Sequence, residues 1–362
     1  AARLTVAVLP DALAEPLAYR ITRGTRVSPN DLLSGIEGFH YWTASRVIPG
    51  TINEFPFFGF LNGDLHAHMM GAPFLLLAAA LAYAYWETPA DRRRRRRLLV
   101  FGAVPVLGGT QVVIHTWDAA TTLGLLWLTL TFAPAAPLSL LPRGEALAAR
   151  LRAALGEGLA ATEVARTGGA FLATGVAAAG AALLGAPFLL GASSGQAPAL
   201  LAPEMRSALT PLILVHGAFL AAFGAYLVGR IVGGGSETHP RGRALRDAAV
   251  VLAGVAALAI AALAAGFPAV AVVVPLLALG WAAFRLDRGV GFETALIVGG
   301  AGLVGLVEVV FVVEEAGPGR MNTVFKVYAQ VWALWAVAAG VVLAELWTTG
   351  FRGAADAAAR RG

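Results

Sequence analysis

The chain has 362 residues, of which 58% are hydrophobic and 14% charged, with no cysteine and a formal net charge of +5. So few charges cannot clothe a water-soluble surface, so apolar residues must meet lipid, and the missing cysteine excludes disulfides, iron–sulfur clusters, zinc–thiolate sites and thiol nucleophiles. A positive charge would suit nucleic acid only on one face of a soluble domain; here the arginines stand between apolar runs, so membrane lipids rather than nucleic acid are the expected partners.

Residues 1–70 read as an extracytoplasmic or interfacial segment. The chain opens on Ala1 with no basic stretch leading into an apolar one, so its native beginning is expected upstream. Its densest part is Glu54-Phe-Pro-Phe-Phe-Gly-Phe-Leu-Asn-Gly-Asp64-Leu-His66-Ala-His68, where Phe57, Phe58 and Phe60 suit the headgroup boundary while the backbone re-enters the bilayer. Apolar runs then recur, each long enough at about 1.5 Å per residue to cross a hydrocarbon layer roughly 30 Å thick. Nine spans are expected, near residues 72–88, 98–114, 119–135, 168–190, 211–232, 247–265, 268–284, 291–313 and 324–348. They form the domain 71–348 of an all-α polytopic bundle, followed by a tail at 349–362. Runs rich in Ala and Gly at 170–185 and 253–266 permit close helix contact.

Arginine sets the orientation. Placing the run Arg92 to Arg97 in the cytoplasm and alternating from there leaves nineteen cationic residues on the cytoplasmic side beyond residue 70. Only Arg206, Arg320 and Lys326 fall on the other. The expected location is the cytoplasmic membrane, with the C-terminus inside, and the arginine run itself is expected to be a solvated topological anchor.

The chemically interesting residues collect on the outer face. If the first span begins near Asp64, then Asp64 and His68 share a helix face, while His66 joins them only through an irregular turn. Otherwise Asp64 is a helix cap and the histidines bond headgroups or neighbouring loops. His115-Thr-Trp-Asp118 forms an outer turn on the same side, and Asp118 is also a cap for the helix beginning at Ala119. Carboxylate with imidazole suits Mn²⁺, Zn²⁺ or Fe²⁺, and Mg²⁺ less well. Downstream, Arg320 and Lys326, the chain's only lysine, bracket a helix start with Asn322 as its cap, an arrangement that attracts phosphate. The alternative for Lys326 is a side chain snorkelling to the interface. Glu308 and His216 fall inside spans, where an ionisable group faces a cavity or a partner, or is held by buried hydrogen bonds.

Four motifs in order carry a resemblance: Ser45-Arg46-Val-Ile-Pro-Gly-Thr-Ile-Asn-Glu54-Phe-Pro-Phe-Phe; Gly63-Asp64-Leu-His66-Ala-His68; Arg206-Ser-Ala-Leu-Thr-Pro-Leu-Ile-Leu-Val-His216-Gly; and Arg320-Met-Asn-Thr-Val-Phe-Lys326. Over about residues 40–340 the chain resembles the Chlor_Arch_YYY family of uncharacterised multi-pass proteins. That family's tyrosine-rich N-terminal motif has no counterpart beyond Tyr83-Ala-Tyr85, so the resemblance implies a C-terminal half, with an N-terminal half or partner subunit elsewhere. It implies a distant similarity to GT-C type membrane glycosyltransferases, which take a sugar from a polyprenyl-phosphate donor on the outer face and carry a catalytic acid in a first outer loop, here upstream of residue 1.

The expected function is therefore a glycosyltransferase-like activity on a polyprenyl-phosphate-linked sugar. Asp64, Glu54 and His66 are the candidate acid/base groups, and Arg206, Arg320, Lys326 and Asn322 the phosphate-binding ones. Asp64, His66, His68 and Asp118 are candidate ligands of a divalent metal, Mn, Mg or Zn. The alternatives are a transporter or channel using Glu308 and His216, and a structural membrane subunit.

Overall fold

The computed structural model describes residues 45–53, 56–61, 63, 65–156, 159–191, 197–233, 241–286, 289–313 and 320–359. In chain order its elements are α1 (Pro56–Leu61), α2 (Ala67–Trp86), α3 (Arg93–Leu98), a π turn (Leu99–Ala103), α4 (Val104–Ile114), α5 (Thr116–Phe132), α6 (Gly144–Leu155), α7 (Leu159–Leu184), α8 (Ala186–Gly191), β1 (Pro198–Leu200), α9 (Leu209–Gly233), α10 (Arg241–Ala264), α11 (Pro268–Leu286), α12 (Phe292–Leu306), β2 (Val310–Val312) and α13 (Met321–Ala359). This is an all-α polytopic bundle. Among the described residues the strands are β1 and β2, paired antiparallel with Pro198 opposite Val312 and Leu200 opposite Val310.

Each of the nine apolar stretches falls on a helix, but among the described residues only six helices are long and apolar enough to cross a membrane. They are Ala67–Trp86, Arg93–Ile114, Ala161–Leu184, Leu209–Val232, Pro268–Arg285 and Met321–Thr348. Of the other three, α5 has 17 residues, and the apolar stretches given within the described parts of α10 and α12 are Leu252–Ala264 and Phe292–Leu306. The expected span at 291–313 is the clearest difference. Its helix stops at Leu306, a turn carries Glu308, and the β-branched run beyond it leaves the helix to pair with β1. Fifteen helical residues cover only about 22 Å. Hydropathy cannot see this break, because a valine-rich strand and a valine-rich helix are equally apolar.

The chain divides into two compact units, residues 63–194 with 290–299, and residues 1–62 with 195–289 and 300–362. In the first, glycines let α4 and α7 approach closely. A Cβ on Gly108 would lie 2.9 Å from that of Ala181, one on Gly109 2.7 Å from that of Leu184, and one on Gly185 3.0 Å from Val112. In lipid, helix association rests on such van der Waals contact rather than on the hydrophobic effect, so the Ala/Gly run expected at 170–185 does serve close packing. The π turn has a local cause: Pro105 has no N–H for Phe101 and its ring crowds that carbonyl, so the preceding turn widens.

Arg96 departs from the expected solvated anchor. It is 1% exposed, and its guanidinium donates to Tyr85 Oη at 2.9 Å, Ser139 Oγ at 3.0 Å and the carbonyls of Ala90 and Ala136 at 3.2 Å. Arg97 Nε donates to Leu140 O at 2.7 Å and Arg93 Nη2 to Leu141 O at 3.2 Å, so three of the six arginines tie the helix start to the 137–141 turn.

In the second unit, α9 and α13 pack through aromatic rings. Phe219, Phe223, Trp332 and Trp335 meet with centroids 4.9–5.6 Å apart. An Arg230–Glu345 ion pair at 2.9 Å joins the same two helices.

Candidate functional site

The motif at the N-terminal edge is a loop closed on itself. Asn53 Oδ1 accepts from Ile48 N at 2.7 Å, Asn53 N donates to Ser45 O at 2.8 Å, and Asn53 Nδ2 donates to Thr51 Oγ1 at 2.8 Å. Ser45, Ile48, Thr51 and Asn53 are all buried. The motif thus has a structural content that its spacing alone did not reveal.

Two expected catalytic residues, Glu54 and Asp64, lie outside the described residues, as do His40, His239, Glu314 and Glu315 and the side chains of Phe57 and Phe58. Phe60 is exposed, as a lipid- or headgroup-facing aromatic would be. The helix after the Gly63–His68 motif begins at Ala67, with His66 in the N-cap position. The shared helix face expected for Asp64 and His68 rests on residue 64, which lies outside the described residues. His66 is exposed and His68 buried, their rings 6.0 Å apart between centroids.

The motif from His115 to Asp118 is also shifted. α5 begins at Thr116 rather than Ala119, so Asp118 is in the first helical turn and His115 is the N-cap. A carboxylate there faces the positive end of the helix. Asp118 Oδ1 accepts from His115 Nδ1 at 2.9 Å, with both side chains buried. Because an ionised carboxylate only accepts, Nδ1 carries the proton in a neutral ring and the lone pair is on Nε2. That Nε2 is buried without a hydrogen bond, as are both amide atoms of Gln111, one turn before His115, and the hydroxyl of Thr122, one turn after Asp118.

Gly71 of α2 makes the arrangement possible. A Cβ at Gly71 would overlap the Asp118 carboxylate and lie 3.2 Å from His115 Cβ. His68 and Gly71 are three residues apart on the buried side of α2, so the helix that presents His68 is the one against which the pair rests. Gly71→Ala is expected to cost about 1–3 kcal/mol of stability by overpacking; thermal unfolding in detergent checks it. Among the described residues no three His, Asp or Glu side chains are grouped to hold a metal ion. No chemical step is therefore assigned to a metal.

A second constellation is built in the other unit. Arg320 Nη1 donates to Glu308 Oε1 at 2.7 Å and to Val307 O at 2.9 Å, and Nη2 donates to Ser207 Oγ at 2.6 Å. Ser207 in turn donates through Oγ to Glu308 Oε1 at 2.7 Å and through its backbone N–H to Oε2 at 2.8 Å. The three side chains are 0–3% exposed. The break after α12 brings Glu308 to this point. Val312 N donates to Thr323 Oγ1 at 3.0 Å, tying β2 to the first turn of α13.

This placement changes what the expected cations do. α13 begins at Met321, so Asn322 is not its cap, and Arg320 O accepts from Val324 N at 3.0 Å. Arg320 is engaged with a carboxylate, while the Arg206 guanidinium lies 3.6 Å over the Phe267 ring. Lys326 and Asn322 are half-buried on the first turns of α13. His216 is buried in ring contact with Tyr328 and Trp335, at 4.7 and 5.4 Å between centroids.

Sequence reasoning overlooked His115 as a chemical group and Ser207 altogether. A signal existed for the first, a His followed three residues later by Asp at a helix start, which is the spacing of an oriented imidazole. None existed for Ser207, whose partners are 101 and 113 residues away.

No curated protein and no solved structure matches the chain. A family model described as "Uncharacterized membrane protein (DUF2298)" matches residues 1–335; it carries neither the Chlor_Arch_YYY name nor a GT-C relationship. With nearly its whole length matched and several helices able to cross a bilayer, the chain belongs to the DUF2298 family of uncharacterised membrane proteins.

Proposed function

We propose that the protein is a membrane glycosyltransferase-like enzyme of GT-C type that acts on a polyprenyl-phosphate-linked sugar at the extracytoplasmic face, with its C-terminus in the cytoplasm. The observation that supports this reading is the buried His115–Asp118 pair, with its imidazole Nε2 unengaged. Such a pair does the work of a general base: Asp118 orients the ring and stabilises the imidazolium, and Nε2 takes a proton. The acceptor's oxygen loses that proton to His115 and bonds to the anomeric carbon. The bond from that carbon to the donor phosphate breaks, and the phosphate leaves with the electron pair.

Lys326 and Asn322 at the start of α13, together with Arg206, belong to the other compact unit and are proposed as a phosphate-binding group of their own. Arg320, paired with Glu308, is proposed to shape that region rather than to meet the donor directly. Glu54, Asp64 and His66 are proposed to complete the acid/base set. His66, His68 and Asp118 are not grouped to hold one ion, so a divalent ion is proposed at Asp64 with other ligands than these three; equilibrium dialysis with Mn²⁺ should show binding to the intact chain and a loss of at least tenfold in Asp64→Ala. An N-terminal half or partner subunit is the proposed source of the remaining acidic residue.

The test is transfer of labelled sugar from a polyprenyl-phosphate donor by purified protein, supplied with any N-terminal partner. His115→Ala should reduce it at least a hundredfold. Unchanged transfer in a folded variant would remove the assignment. One observation favours transport instead: Glu308 and Arg320 are buried charges at an interrupted helix, a pattern that transporters use at midplane. Flux in proteoliposomes that disappears in Glu308→Gln, without any transfer activity, would establish that reading.

A further inference from the structure

The arginine run does more than mark a side of the membrane. A cavity of about 450 Å³ is lined by Arg93, Arg94, Arg97, Leu98, Phe101 and Gly102. These positions follow the spacing i, i+1, i+4, i+5, i+8, i+9, which is one continuous face of α3 and the π turn. Arg96 and Val100, between them in sequence, are buried against the protein, so the cavity is on the outward side. It changes character along its length, from three guanidinium groups at the helix start to an exposed leucine, a phenylalanine ring and a glycine one to two turns further into the apolar part of the helix.

We infer that this cavity is a binding site for an anionic phospholipid of the surrounding leaflet, with its phosphate among Arg93, Arg94 and Arg97 and its acyl chain along Leu98, Phe101 and Gly102. Three features on the molecule support a built site. Two of the arginines are pre-positioned, since Arg93 and Arg97 donate to the carbonyls of Leu141 and Leu140. Those bonds use Nη2 of Arg93 and Nε of Arg97, while Arg94 is exposed beside them. Finally, a Cβ on Gly102 would meet nothing within 4 Å, so the apolar end is open space rather than packed protein. Basic pockets at the ends of membrane helices hold anionic headgroups by this combination of charge and apolar wall. A freely soluble phosphate would gain nothing from the second half of the cavity.

The experiment is native mass spectrometry of the intact, delipidated protein in neutral detergent, titrated with phosphatidylglycerol or with phosphatidylcholine of identical chains. Phosphatidylglycerol should be retained and phosphatidylcholine should not. Arg94→Gln with Arg97→Gln should weaken retention on the order of twenty-fivefold, about fivefold per arginine. Arg92→Gln with Arg95→Gln removes the same charge outside the cavity and should change it less than about twofold. Gly102→Trp, with charge unchanged, should abolish it by filling the apolar end. Because Arg97 also holds Leu140, Arg94→Gln alone and Gly102→Trp carry the test if the double variant fails to fold. Equal losses in the two double variants would reduce the run to a diffuse field and overturn the site. So would equal retention of both lipids, displacement by inorganic phosphate at the lipid's own concentration, or preference for a polyprenyl phosphate over phosphatidylglycerol.

Discussion

Arg320→Met is expected to destabilise the fold by about 3–5 kcal/mol, because it leaves the Glu308 carboxylate buried without its counter-charge. Glu308 is 0% exposed and both its oxygens are used, one by Arg320 and Ser207 Oγ and the other by the Ser207 backbone. Removing the guanidinium strips away a charge-assisted bond and also the donor to Val307 O, at the point where α12 gives way to β2. The double variant Arg320→Met, Glu308→Gln should recover much of the loss, since no unpaired charge then remains. Arg230→Ala, which breaks a half-exposed pair, should cost under about 1 kcal/mol. Unfolding followed by fluorescence-detected size exclusion over a temperature series reads all three. If Arg320→Met melts with the parent protein, the ion pair is not what holds the broken helix.

Asp118→Asn is expected to lower transfer by about 10²–10⁴-fold while leaving the unfolding temperature nearly unchanged. An amide in that place can donate to Nδ1 as well as accept, so the ring is no longer held with its lone pair on Nε2. Combining Asp118→Asn with His115→Ala should be no worse than His115→Ala alone, since the two residues act as one unit. Additive losses would mean that Asp118 acts elsewhere, and full activity in Asp118→Asn would end the general-base assignment.

The membrane-spanning character, the helical class and the rough position of each long helix among the described residues were legible in the sequence, because both hydropathy and arginine placement are properties of short segments. So was the gathering of His and Asp at helix starts, although α5 begins three residues earlier than its motif suggested. The Asp118 side chain does not close its own helix end; it reaches back to His115. What local pattern could not supply was the partner of each charge. Arg96 and Arg97 are neighbours in one run of arginines, yet Arg96 is enclosed by Tyr85, Ala136 and Ser139 and Arg97 helps to line an outward cavity. Arg320, an expected phosphate ligand, is matched instead with Glu308 and Ser207.

Composition and periodicity decide whether a segment enters lipid, because the transfer free energy of each side chain is set by its own chemistry and adds along the helix. The end of α12 at Leu306, the meeting of Gly71 with Asp118 and the Ser207–Glu308–Arg320 network were decided only by the tertiary structure. A buried charge is tolerable only where a partner arrives from elsewhere in the chain, and that arrival is a property of packing.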